Sequence, residues 1–137
     1  VFGEELMVDN VEKALSEVCD THQAQVAEYS VAPIYMEEGK NGGHEWIIEF
    51  VEDPMDIELF KLDLDTCLRR INSDYDAKRA HDFNLRKPVI HSVRPGTFYE
   101  WMKSRGKIGG QHKVPRLSNT RVHLDSLLEF AEKPQLA

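Results

Sequence analysis

Residues 106–116 read Gly-Lys-Ile-Gly-Gly-Gln-His-Lys-Val-Pro-Arg, a run that can both move a lysine and hold it still. Gly106, Gly109 and Gly110 let the backbone take positive φ and pass close to a ligand. Pro115 then fixes its own φ and drives Val114 towards an extended conformation. Lys113 and Arg116 set two cations three residues apart, and Gln111 adds an amide. Such a loop suits a phosphate or carboxylate oxygen that must be gripped and released. A solvated basic loop has the same composition, and these residues alone leave both readings open.

The distribution of charge bears on that choice. Residues 1–85 hold seven cations against twenty acids, a balance of −13. Residues 86–123 hold nine cations and the single acid Glu100, a balance of +8, and residues 124–137 return to −2. A cationic block inside an acidic chain concentrates field on anionic ligands. A pI near 5.3 argues against a general binder of nucleic-acid backbone, and the block lacks the spaced aromatics of a single-strand platform. A small phosphorylated ligand fits the block, and so does a basic face that docks on an acidic surface.

With 137 residues, 41% hydrophobic and 30% charged, the chain is expected to fold as a single domain, 1–137. That length buries roughly two thirds of the unfolded surface. No apolar run reaches the length of a transmembrane helix, so no membrane partner is expected. The start shows no charged-then-apolar leader pattern. Cys19 and Cys67 have no metal spacing, sit on apolar helical faces and read as buried thiols of a reducing, cytoplasmic compartment. The chain begins at Val1 without a methionine and is expected to be a piece of something larger.

The elements that must position the loop follow an α/β order. Asp9 with Glu12 forms a capping pair, and Val11, Ala14, Leu15, Val18 and Cys19 make one apolar helical stripe. Residues 26–36 and 44–51 read as two strands of a hairpin across Asn41-Gly42-Gly43, with Pro33 marking an edge or a bulge. Asp53-Pro54 is expected to open a helix carrying Ile57, Phe60, Leu64, Cys67, Leu68, Ile71 and Tyr75, which Asn72-Ser73-Asp74 could break. Residues 88–94 make a third strand, and Thr97 is expected to cap a short helix with Phe98, Trp101 and Met102. A last helix carries Leu124, Leu127, Leu128 and Ala131. The expected fold class is α/β (α+β): a small mixed sheet of about three to four strands flanked by helices.

Other constellations are weak. His81-Asp82 has no companion ligand cluster, so no metal site is expected, and His44, His91 and His123 are scattered. Asn72, Asp74, Tyr75, Lys78 and Arg79 read as a solvated polar face after an apolar helix. No phosphate-binding loop of the Walker type and no dinucleotide fingerprint is present.

Three motifs stand in order: Ile71-Asn72-Ser73-Asp74-Tyr75-Asp76-Ala77-Lys78-Arg79, then Gly96-Thr97-Phe98, then Gln111-His112-Lys113-Val114-Pro115-Arg116. Together they resemble the C-terminal domain of the auxin-responsive acyl-acid amido synthetases, adenylate-forming enzymes, over about residues 3–130. His112 stands where plant members usually carry tyrosine, and Gly109-Gly110 replace bulkier residues, as in a bacterial branch. The resemblance implies a ligase that activates a carboxylic acid with ATP to an acyl-adenylate and then passes the acyl group to an amino-acid amine. A large N-terminal adenylation domain of the same polypeptide would hold ATP, Mg²⁺ and the acid. This chain would be the mobile C-terminal lid, inactive alone, with residues 1–6, including Gly3-Glu4-Glu5-Leu6, just after the interdomain hinge. Lys113 would be the mobile catalytic lysine, and Gln111 and Arg116 would position its loop or touch phosphate. The alternative from the residues alone is a non-catalytic module whose basic face binds an acidic protein or nucleic acid.

Overall fold

A computed structural model describes residues 7–35, 42–80, 85–105, 116–118 and 120–132. Within these, the order is α1 (Val8–His22), β1 (Gln25–Ile34), β2 (Gly43–Glu52), α2 (Ile57–Ile71), α3 (Ser73–Arg79), β3 (Val89–Val93), α4 (Thr97–Ser104) and α5 (Val122–Glu132). The three strands form one mixed sheet in the order β1-β2-β3. The fold class is the α+β one read from the sequence.

β2 is the central strand, and its composition says why. Trp46, Ile47, Ile48 and Phe50 are all buried, because a strand covered on both faces loses the polar alternation of a half-solvated one. Trp46, Ile48 and Phe50 join Tyr29 and Val31 of β1 in a core under α1, α2 and α3. Ile47 and Ala32 point the other way, into a smaller core with Phe98, Trp101, Leu124 and Leu127 of α4 and α5. β1 runs antiparallel to β2, with Val31 opposite Trp46 and Pro33 opposite His44. β3 runs parallel to β2, with Trp46 opposite Ile90, and the crossover that a parallel pair requires passes through α2 and α3. A bridge between Val31 and Leu117 adds a short contact on the outer side of β1. The ladder irregularity falls between Gln25 and Glu28, so Pro33 occupies an edge strand without a bulge of its own.

α1 and α2 pack antiparallel along a polar seam. His22 Nε2 lies 2.6 Å from Asp63 Oδ2 at one end, and Asn72 Nδ2 donates to Asn10 Oδ1 at 3.0 Å at the other. Between them Glu17 accepts from Arg70 and, at 3.0 Å, from the Cys67 thiol. Cys67 is buried, whereas Cys19 is only half-buried. Among the described residues no helix is long and apolar enough to cross a membrane.

Three local expectations are corrected, and the break that the sequence allowed at Asn72 is found. α1 is capped at Met7, whose N–H donates to Asn10 Oδ1, so Asp9 and Glu12 do not form the cap. α2 begins at Ile57 rather than at Asp53-Pro54, because Asp56 accepts from the N–H groups of Glu58 and Leu59. Asn72 ends α2 in an extended conformation and caps α3 through the Tyr75 N–H. Thr97 is the first residue of α4, not its cap; its hydroxyl donates to the Arg94 carbonyl at 2.6 Å.

Candidate functional site

The described residues that flank the glycine-rich run in sequence are Arg105, at the end of α4, and Arg116, beside β1. α4 is fixed first. Gly96 sits at its N-cap with φ of 91°, a conformation that favours glycine. Among the described residues, the helix start receives its cap from the central strand: Glu49 accepts from Gly96 N at 3.1 Å and from Phe98 N at 2.9 Å. A carboxylate at a helix N-terminus satisfies two orphan donors and complements the helix dipole. Glu49 is itself buried at 8% exposure. The far end of α4 reaches Arg105, whose guanidinium lies 4.9 Å from the Trp101 ring centroid, and the Trp101 indole N–H donates to Ser126 of α5.

Residues 106–115 lie outside the described residues, and the chain is described again at Arg116. Its backbone is bound to the outer side of β1. Val31 N donates to Arg116 O at 2.8 Å, and Ser118 N donates to Val31 O at 3.0 Å. The Arg116 side chain spans two elements: Nη1 lies 3.2 Å from Glu12 of α1, and Nε lies 3.2 Å from Glu28 of β1. Its guanidinium carbon lies 5.4 Å from the Tyr29 ring centroid. Burial works against the Arg116 charge, but the bond to Glu28 and the charges of Glu28 and Glu12 outweigh it and raise its pKa. A cleft of about 270 Å³ opens beside these groups, walled by Glu12, Cys19, Tyr29 and Arg116 among others. Tyr29 Oη is buried without a hydrogen-bond partner among the described residues. Burial, then the Glu12 charge, push its pKa up to about 12, so it stays neutral.

The basic block is therefore partly neutralised by the acidic remainder of the chain. Arg121 pairs with Glu45 at 2.7 Å and Asp125 at 2.8 Å, and donates to the Pro33 carbonyl at 2.8 Å. His91 lies 2.6 Å from the second Glu45 oxygen. Burial alone would raise the Glu45 pKa, but hydrogen bonds from His91 and Arg121 outweigh it and lower it.

A second polar cluster corrects the reading of Tyr75 and Arg79 as part of a solvated face, whereas Asp74 is exposed as read. Tyr75 and Arg79 are buried, at 1% and 3% exposure. Asp65 accepts from the Tyr75 hydroxyl at 2.7 Å, from Arg79 Nε at 2.8 Å and from Arg79 Nη2 at 2.6 Å. Arg79 Nη1 donates to the Leu85 carbonyl at 3.3 Å, tying α2 and α3 to the approach of β3. Burial and the Asp65 charge push the Tyr75 pKa strongly upward, so it serves here as a neutral donor. This cluster is a buried brace within the fold.

Of the sequence-predicted site residues, Arg116 is described, whereas Lys113, Gln111, Gly106, Gly109, Gly110 and Gly3 lie outside the described residues, as does His81-Asp82. His44 is buried beside the Tyr75 ring, and His123 packs edge-on to Trp101. Among the described residues no group of three or more His, Cys, Asp or Glu is gathered for a metal. Sequence reasoning missed Glu12, Glu28 and Glu49. Each is an acid on an amphipathic element, and no linear spacing links it to its distant partner.

The sequence matches the GH3 family C-terminal domain across residues 9–122. The fold is similar to that of the "AtGH3.15 acyl acid amido synthetase in complex with 2,4-DB", with a TM-score of 0.67 at 19% identity over 91% of this chain. A second solved GH3.15 acyl acid amido synthetase gives a TM-score of 0.65 at 20% identity over 88% of this chain. The matches take in 24% and 23% of those chains, so this chain spans about a quarter of their length. Among curated proteins, none matches the sequence. With the family match running over most of its length, the chain belongs to the GH3 family, as that family's C-terminal domain.

Proposed function

We propose that this chain is the mobile lid of an ATP-dependent acyl-acid amido synthetase and supplies Lys113 to the adenylation step. The observation that carries the reading is the GH3 C-terminal match, whose span includes the run from Gln111 to Arg116. The similar solved proteins are named acyl acid amido synthetases, which supports an amide ligase as the parent.

The chemistry asks for what this loop offers. As a carboxylate attacks the α-phosphate of ATP, two anions are brought together and negative charge builds on phosphorus-bound oxygens. An ammonium in a closed, water-poor site stabilises that charge and offsets the repulsion between the reactants. Gly106, Gly109 and Gly110 would let Lys113 enter and leave, with Gln111 positioning it or touching phosphate. ATP, Mg²⁺ and the acid would be held mainly by an N-terminal domain of the same polypeptide. Mg²⁺ there would neutralise phosphate charge.

The isolated domain is expected to be inactive, because it carries no nucleotide-binding motif of its own. Pyrophosphate release from ATP with a panel of carboxylic acids tests this directly. Release is expected only when an N-terminal adenylation domain is present on the same polypeptide. Turnover by the rigorously purified domain alone would contradict the reading.

A further inference from the structure

We propose that the outer edge of β3 is a docking site for an extended acidic segment of a partner protein, taken up as a further strand of the sheet. β3 pairs on one side with β2, Val89 to Val93 against Glu45 to Glu49. Among the described residues no strand covers its other side. The opposite edge of the sheet is closed in part by the chain itself, where Val31 bonds to Arg116 and Ser118. Alternate residues of a strand turn their N–H and C=O groups away from a single neighbour, so β3 presents a row of unmet donors and acceptors.

A cleft of about 340 Å³ accompanies this edge. Its lining takes in consecutive residues from His91 to Arg94, and successive side chains of a strand point to opposite faces of the sheet. A cleft that touches both sets lies along the strand rather than over one face. Leu128 and Ala131 of α5 supply apolar wall, with Glu132 beside them. A strand added here would bond to the main chain of β3 and set alternate side chains against α5. In that mode the backbone gives affinity and the side-chain pockets give specificity.

Charge selects the occupant. Lys87 precedes β3 and Arg94 follows it, both are exposed, and neither side chain has an ion-pair partner among the described residues. A second copy of this chain pairing antiparallel through β3 would bring Lys87 of each copy towards Arg94 of the other. Like charges facing across a ladder oppose such pairing. Acidic side chains on an incoming strand would meet both cations, with Glu132 as the opposing charge.

The test uses the chain of residues 1–137 and a fluorescein-labelled peptide of about eight residues alternating glutamate with valine, long enough to span β3 at about 3.3 Å per residue. Anisotropy at about 150 mM salt is expected to show saturable binding tighter than about 1 mM. Lys87→Gln combined with Arg94→Gln should weaken it about threefold to thirtyfold, and Glu132→Gln should tighten it about twofold to fivefold. These side chains are exposed, so the urea midpoints of the variants should not move. Absence of binding, or binding indifferent to all three charges, would overturn the proposal.

Two further peptides, N-methylated at one or the other alternate set of residues, separate a backbone ladder from bare charge attraction. The set facing β3 should lose about tenfold or more and the other should bind as before. Equal behaviour of the two would overturn the proposal. Amide exchange within Val89–Val93 should slow about tenfold at a peptide concentration about ten times Kd. Unaltered exchange there would place the peptide elsewhere, and protection that rises with chain concentration alone would give the edge to a second copy. Displacement of the peptide by an equimolar single-stranded oligonucleotide would make the edge a nucleic-acid site instead. Failure of the full-length parent to bind a peptide that the domain binds would mean that the parent's own polypeptide covers the edge. None of these readouts involves Lys113, so the proposal stands or falls apart from the adenylation reading.

Discussion

The guanidinium of Arg79 meets the carboxylate of Asp65 through two hydrogen bonds, at 2.8 and 2.6 Å, in the interior of the domain. The Tyr75 hydroxyl satisfies the same carboxylate. Truncating one partner of such a pair strands the other charge without water or counterion. Arg79→Ala is therefore expected to cost about 3–5 kcal/mol, and Tyr75→Phe about 1–3 kcal/mol. Equilibrium urea unfolding checks both, and a loss under 1 kcal/mol for Arg79→Ala would mean the pair is not a brace.

The same pair predicts an acid dependence. Burial would raise the Asp65 pKa, but hydrogen bonds from Arg79 and Tyr75 outweigh it and hold it below the ordinary 3.8. A carboxylate depressed in the folded state contributes stability above its unfolded pKa and loses it as pH falls through the folded one. The domain should thus lose stability on acidification below about pH 4, and Asp65→Asn should flatten that loss while lowering stability at neutral pH. Urea midpoints across pH 2–7 measure it; an unaltered slope in Asp65→Asn would assign the acid dependence to other carboxylates.

The start of α4 gives a third prediction. Glu49→Ala leaves the N–H groups of Gly96 and Phe98 without their acceptor and should cost about 1–3 kcal/mol. Gly96→Ala meets no atom within 4 Å of the added Cβ, so its cost of about 1–2 kcal/mol should come from the backbone at φ of 91° alone. Thermal unfolding distinguishes the two, because only Glu49→Ala removes hydrogen bonds. Equal stability of wild type and Glu49→Ala would show that water caps the helix as well.

What the sequence disclosed and what it concealed divide along the same line. The stripe from Val11 to Cys19, the antiparallel pairing of the two strands read at 26–36 and 44–51, and the breaking of the long helix at Asn72 are local patterns, and the structure follows them. Glu49 capping a helix 47 positions away, and Asp65 drawing Tyr75 and Arg79 inward, are contacts between distant elements. Asp65 follows Leu64 on a helix read for its apolar positions, so nothing in its spacing showed a buried acid waiting for a partner. Arg116 was legible as part of a motif, but Glu12 and Glu28 were not, because the fold alone brings α1 and β1 to it.

The basic segment is expected to serve the active site rather than nucleic acid. Arg116 and Arg121 already pair with carboxylates, which weakens any continuous cationic face. An anisotropy titration of the domain with duplex DNA at about 150 mM salt should give nothing tighter than the roughly 10⁻⁴–10⁻⁶ M of non-specific binding. Submicromolar, sequence-dependent binding would favour the docking-module reading.

The proposed role of Lys113 in adenylation is tested most directly by comparing the two half-reactions of the full-length enzyme with Lys113→Ala. Acid-dependent ATP–pyrophosphate exchange should fall about 10²–10³-fold, the usual loss for one preorganised charge contact. Lys113→Arg should rescue it poorly, since a planar fork does not replace a compact point charge. Amide formation from supplied acyl-adenylate should be largely spared, because the lid would have carried the lysine away by then. Equal losses in both half-reactions, or none in either, would contradict the account.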